Sequence, residues 1–255
     1  MTEKIDANTL RQVDFRAVWE EIYGPWSYIT DYRVDPKKTA LVIIDVQPAF
    51  VDQNVGYMNA YSKKLPVSLD YFSGRVRDLV IPNISRLLEC FREMESLIAY
   101  VVTWSETDDL SDVDRYWRRA IRRWEEEVGG QVWRKWNEGM DVCREIAPRE
   151  HELVVPKRTS SAFASSMLPR ILQNAEIETA VLVGCNTNGC VFSSACVGSN
   201  LGFDLIMPAD ATACFAPSLQ AEAENWISRQ FALVCSTEET IGLMQGKQLD
   251  QGDPS

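Results

Sequence analysis

Apolar residues along this chain fall into two alternating patterns. Short continuous runs, each stopped by Gly, Pro or polar residues, read as strands covered on both faces: Ala40–Val46, Leu97–Trp104, Glu152–Pro156, Thr179–Cys185, Leu205–Met207 and Phe231–Cys235. Between them lie segments whose apolar positions recur at helical spacing, predicting helices over 81–94, 112–128, 164–174, from after Cys190 to about Asn200, over 217–230 and over 237–243. Pro82 or Asn83 marks the first start, Gly129 and Gly130 break the second helix, and Gly202 closes the fourth. Strands alternating with helices predict an α/β fold with a six-stranded, mostly parallel sheet covered on both faces. Residues 51–75, polar with Tyr and Gly, read as a surface excursion.

Outside that frame the pattern weakens. Phe15, Val18, Trp19 and Ile22 have helical spacing, so residues 1–36 are expected to form an N-terminal arm with a short helix near 10–23. The folded domain is expected over 37–245, and 246–255 reads as a disordered tail. The net charge of −11 argues against nucleic acid and anionic membrane as partners. No apolar run is long enough to cross a bilayer, and the opening MTEKIDANTL lacks the core of a signal peptide, so a cytoplasmic address is expected.

Seven scattered cysteines without a CxxC pair argue against a disulfide framework. A single histidine, His151, rules out a zinc site built on several histidines and leaves any cysteine nucleophile in need of another base. Asp45, Lys157 and Cys190 each fall at or just beyond the carboxyl end of a predicted strand, which in a parallel sheet is one edge. Cys190 follows a strand and a small-residue turn and precedes a helix, a placement expected to favour thiolate. Lys157 would add to that effect, and Asp45 is a fitting proton acceptor. The other reading is a structural Asp45–Lys157 ion pair beside a cysteine that only packs.

Residues 112–137 combine Trp117, Trp124, Trp133 and Trp136 with six arginines. Glu125, Glu126 and Glu127 offset the arginines, so this tract reads as a pocket lid or an oligomer surface rather than a nucleic-acid site.

The set DVQPAF (45–50), KRTSSAF (157–163) and GCNTNGCV (184–191) resembles the isochorismatase-like cysteine hydrolase family, which includes nicotinamidases and N-carbamoylsarcosine amidase-like enzymes. The likeness runs over roughly 39–243 with the motifs in the family's order. It implies a Rossmann-like three-layer α/β/α fold and a triad with Cys190 as nucleophile, Asp45 as general acid/base and Lys157 as electrostatic partner. It further implies a cis Cys185–Asn186 bond and an oxyanion hole made by the backbone N–H groups of Asn186 and Cys190. A homodimer or homotetramer is expected on the same ground.

Two departures refine the expectation. The loop TWSETDDLSD lacks the histidine of the nicotinamidase metal cluster, so neither a metal nor another cofactor is expected. Phe192 stands where several carbamoylsarcosine and maleamate amidase-like members carry an arginine for a substrate carboxylate, so a small anionic amide is not expected unless Arg158 takes that part. Gln47, Phe50, Trp104, Arg158, Phe163 and Phe192 are the expected substrate contacts. The reading is a metal-independent cysteine amidohydrolase that cleaves a carboxamide or ureido C–N bond of a small molecule through a thioester. The competing readings are a same-fold hydrolase acting on an ether or ester, and a non-catalytic interaction protein using the Arg/Trp-rich segment 115–136.

Overall fold

In a computed structural model, which describes residues 34–63 and 69–248, seven strands form one sheet. They are β1 (Thr39–Ile44), β2 (Leu97–Thr103), β3 (Leu153–Lys157), β4 (Thr179–Cys185), β5 (Asp204–Pro208), β6 (Thr212–Ala213) and β7 (Leu233–Cys235). The order across the sheet is β3-β2-β1-β4-β5-β7, with β6 pairing to β4. All pairings are parallel. Every residue of β1 and β4 is buried, as continuous apolar runs in the centre of such a sheet require. The two-residue β6 has no counterpart among the predicted strands because it is too short to show a period.

Nine helices accompany the sheet among the described residues: α1 (Pro48–Val51), α2 (Gly56–Ser62), α3 (Asp70–Arg75), α4 (Ile81–Glu93), α5 (Arg115–Val128), α6 (Leu168–Asn174), α7 (Phe192–Asn200), α8 (Pro217–Gln230) and α9 (Thr237–Met244). One face of the sheet, with Val42, Ile44, Val101 and Leu182, packs on Leu168 and Leu172 of α6, Ala195 of α7 and Ile227 of α8. The helix α4, burying Ile84, Leu87, Leu88 and Phe91, lies on β1 and β2. The result is a three-layer α/β/α arrangement.

The segment read as a surface excursion is instead partly internal. Its α2 and α3 bury Met58 and Phe72, and Leu69 is buried beside them. Few apolar residues spread over short helices give no sustained period, which is why the pattern missed them. The arm expected over 1–36 with its helix near 10–23, and the tail beyond 248, lie outside the described residues apart from 34–36. Among the described residues no helix is long and apolar enough to cross a membrane.

Two sequence features fix the edge where β1 and β4 end. Asp45 has a φ of +53°, a conformation Asp adopts more readily than most residues, and it ends β1 two positions earlier than the apolar run suggests. Gly184, at φ +112°, is paired with Ile44, and a Cβ there would stand 2.1 Å from the Ile44 carbonyl oxygen. Only glycine allows the two backbones this approach. The strand order reverses between β1 and β4, the place where open parallel sheets leave a crevice for ligands.

Candidate active site

Three chains of contact bring Asp45, Lys157 and Cys190 into that crevice. Lys157 is the last residue of β3, and its side chain reaches Asp45, just past β1. Its Nζ lies 2.9 Å from Asp45 Oδ2, 3.5 Å from Cys190 Sγ and 3.0 Å from the Thr159 carbonyl oxygen. The lysine and the carboxylate are both almost fully buried. Such burial is tolerable because each charge neutralises the other. Asp45 Oδ1 is sealed from solvent and has no hydrogen-bond partner.

Cys190 does not open the helix directly. Residues Thr187–Val191 form one wide π-type turn, and α7 starts after it. The turn is held from two sides. Thr187 Oγ1 donates to Gln220 Oε1 at 2.8 Å, tying it to α8. Ser194 Oγ donates to the Cys190 carbonyl and accepts from the Ala162 N–H at 2.9 Å, tying it to the loop after Lys157. The Cys185–Asn186 peptide bond is cis.

The electrostatics differ from the expected resting thiolate. Burial and the Asp45 charge push the Cys190 thiol up to about 12, against the opposing pull of Lys157. Burial likewise raises Asp45 above the usual carboxylate range, although Lys157 and Cys190 oppose the rise. Burial works against the charge on Lys157, but Asp45 and Cys190 outweigh it and hold its pKa above the ordinary value. The direction of this shift favours a sulfur that keeps its proton over a resting thiolate. The sequence reading credited the helix end and the lysine and could not weigh desolvation, which dominates here.

A cavity of about 250 Å³ opens in front of these groups. Asp45, Lys157, Cys190 and Asn186 form its floor, and Phe50, Trp104 and Arg158 are among its walls. Three expected contacts lie elsewhere. Gln47 is fully buried as a clamp: its Oε1 accepts from the Thr103 N–H at 2.8 Å, and its Nε2 donates to the carbonyls of Met140 and Thr103. Phe163 packs in the core against Phe203, close to Gly198. Phe192 meets Phe231 edge-on, packs against the core and is not part of the cavity lining. Gln47 and Phe163 lie within the motifs and Phe192 follows one, and none of the three lines the cavity.

The remaining wall comes from two sources. From α2 come Tyr57 and Tyr61, and from the tract 112–137 come Trp117, Trp124 and Trp133, joined by Phe215. The tryptophans are on the lid side of the two readings given for that tract. The tyrosines and Phe215 sit in stretches with no readable period, although Tyr57 and Tyr61 are spaced as one helix face. Arginines of the tract brace it and the loop before it: Arg134 pairs with Glu125 at 2.7 Å and donates to the Asp108 carbonyl, and Arg118 donates to the Val113 carbonyl. Trp136 is exposed and outside the cavity.

Arg158 lines the cavity but already has acidic partners. Its guanidinium lies 2.8 Å from Asp112 and 3.7 Å from Glu106. Among the described residues no group of three or more His, Cys, Asp or Glu side chains is placed to hold a metal ion.

Comparison with known proteins places the chain in a family. The chain is 28% identical over 179 residues to the isochorismatase family protein YrdC of Bacillus subtilis, covering 70% of this chain and 75% of that one. It is 27% identical over 195 residues to the ureidoacrylate amidohydrolase RutB of Serratia proteamaculans, covering 74% and 75%. A cysteine hydrolase from Pseudomonas syringae pv. phaseolicola shares the fold with a TM-score of 0.71 at 20% identity, over 85% of this chain and 97% of that one. Residues 39–239 match the isochorismatase domain, and the chain belongs to the isochorismatase family.

Proposed function

We propose that this protein is a hydrolase of non-peptide C–N bonds, a metal-independent cysteine amidohydrolase acting on a small carboxamide or ureido compound. The observation that carries the reading is the position of Lys157 Nζ between Asp45 Oδ2 and Cys190 Sγ, with Asp45 Oδ1 buried and unpartnered. Relatives named for amide hydrolysis, such as the RutB protein above and a maleamate amidohydrolase of Pseudomonas putida, support it.

The steps follow from the proton inventory. A protonated thiol needs a base, and the Asp45 carboxylate is beside it. As sulfur bonds to the substrate carbonyl, the thiol proton passes to Asp45. The oxyanion that forms is met by the backbone N–H groups of Asn186 and Cys190. Asp45 then returns the proton to the departing nitrogen, the C–N bond breaks, and a thioester remains. Water adds to the thioester with its proton taken by Asp45. The C–S bond breaks, and the sulfur recovers that proton. Lys157 stays cationic throughout, keeping Asp45 ionised between steps and lowering the energy of negative charge on sulfur.

The test is Cys190→Ala assayed for ammonia or amine release across a panel of small amides and ureido acids. Loss of turnover with an unchanged circular-dichroism spectrum is expected. Release of an enol or alcohol instead of a nitrogen product from the wild-type enzyme would move the reaction to an ether or ester. Turnover by the alanine variant would remove the covalent step.

A further inference from the structure

One side of the cavity is a continuous aromatic wall. Tyr57 is its hub, with ring centroids 4.9 Å from Trp124, 5.0 Å from Trp133 and 5.7 Å from Phe50. Trp117 stacks on Trp133 at 5.9 Å. Its indole N–H donates to Ser160 Oγ at 3.1 Å, so its polar edge is already satisfied. Most of the surface these rings leave to a ligand is ring carbon, whose contact with an apolar group is favourable in proportion to the area covered.

The charged groups of the cavity are all engaged. Asp45 and Lys157 pair with each other, and Arg158 pairs with Asp112 and Glu106. A carboxylate on the substrate would have to draw Arg158 from two acids to avoid an unpaired buried charge. A cation would find no unpaired carboxylate among the lining residues.

We infer that the substrate is an uncharged amide whose acyl group is a planar aromatic or similarly bulky apolar unit, seated against Tyr57, Trp117, Trp124 and Trp133. This rests on the amide-hydrolysis reading above. The acyl group is the part the wall holds, because it stays on Cys190 through both halves of the reaction while the nitrogen leaves after the first. A wall that gripped only the amine would lose its ligand before the thioester was hydrolysed.

Alkylation of Cys190 tests the wall without needing turnover. Rates at Cys190 are measured by mass spectrometry for 2-iodo-N-benzylacetamide, iodoacetamide, iodoacetate and a trimethylammonioethyl iodoacetamide, each divided by its rate with glutathione. The benzyl reagent is expected to exceed iodoacetamide about tenfold, the effect of covering one ring's worth of apolar surface. The two charged reagents are expected to fall below iodoacetamide. Trp124→Leu and Tyr57→Leu should each remove most of the benzyl preference. Iodoacetate or the cationic reagent matching the benzyl compound overturns the inference, as does a preference untouched by both variants. If neither variant folds, the four wild-type rates decide alone. Ammonia release from phenylacetamide, hexanamide, succinamate and betaine amide then separates the two readings. Succinamate or betaine amide hydrolysed as well as phenylacetamide sinks the specificity while the amidase stands. No ammonia from any of them, with the benzyl preference intact, sinks the amide reaction and with it the assignment of the wall to an acyl group.

Discussion

Lys157 holds one oxygen of Asp45 at 2.9 Å and leaves the other, also buried, with nothing to bond. An unsatisfied buried carboxylate oxygen is a cost that a purely structural ion pair would avoid. In the proposed reaction it is the acceptor for the thiol proton, so pairing and catalysis make different demands on the two partners. Lys157→Met should destabilise the fold by about 3–5 kcal/mol, because it leaves an uncompensated buried charge. Cys190→Ala should leave stability within about 1 kcal/mol, since it removes one sulfur from a residue that is only partly buried and breaks no ion pair. Urea denaturation of the two variants beside the wild type checks the contrast. Equal midpoints for Lys157→Met and wild type would mean that the pair is not buried as described.

The direction of the Asp45 and Cys190 shifts gives a pH profile. Asp45 must be ionised to accept a proton, and burial raises its pKa above the ordinary value of about 3.9. The acid limb of kcat/KM should therefore lie above that value, with rate falling as pH drops through it. The thiol is pushed up to about 12, so no rise belonging to a titrating thiol is expected between neutrality and mildly alkaline pH. Asp45→Asn separates two parts the carboxylate could play. A base is lost, which should lower the acylation rate about 10²- to 10⁴-fold. If Asp45 acted only by repelling negative charge on sulfur, the same variant would acylate faster.

Much of this could be read from residue order. Continuous apolar runs located the long strands because strands buried on both faces leave no polar positions to confuse the count. Asp45, Lys157 and Cys190 converge because parallel strands share one carboxyl edge, a consequence of topology rather than of any local motif. What resisted reading was direction and solvation. Gln47 and Phe163 lie within the motifs yet are buried outside the cavity lining, and only coordinates show which way a side chain beside a bend points. Tyr57, Tyr61 and Phe215 lie in segments without a period. The protonation state of Cys190 depends on how much water the fold removes, and no sequence pattern reports that.

Gln47 supplies a prediction that follows from its displacement from the cavity. Its amide satisfies the Thr103 N–H at 2.8 Å and the Met140 carbonyl, joining the end of β2 to the segment carrying Met140. Gln47→Leu would leave both groups buried and unpaired, at about 1–3 kcal/mol for each. The expected result is a lower melting temperature with KM little changed. A large rise in KM at unchanged stability would instead put Gln47 in contact with substrate.

The closest backbone approach at the site predicts the sharpest single change. Gly184 sits at φ +112°, where a side chain is strained, and a Cβ there would lie 2.1 Å from the Ile44 carbonyl oxygen and 2.9 Å from the Ile44 nitrogen. Backbone must therefore move, and the combined strain and overpacking of Gly184→Ala should cost about 2–5 kcal/mol. Gly129, at the end of α5, is the control: its φ is +73°, but no atom lies within 4 Å of the site of a Cβ, so Gly129→Ala should cost only about 1 kcal/mol. The two variants should differ in activity as well as stability. Separating β1 from β4 displaces Asp45 relative to the turn carrying Cys190, so Gly184→Ala should lose turnover even at temperatures where it remains folded. Denaturant midpoints and initial rates measured side by side make the comparison. Equal effects from the two glycines would show that the approach of Ile44 to Gly184 does not hold the site together.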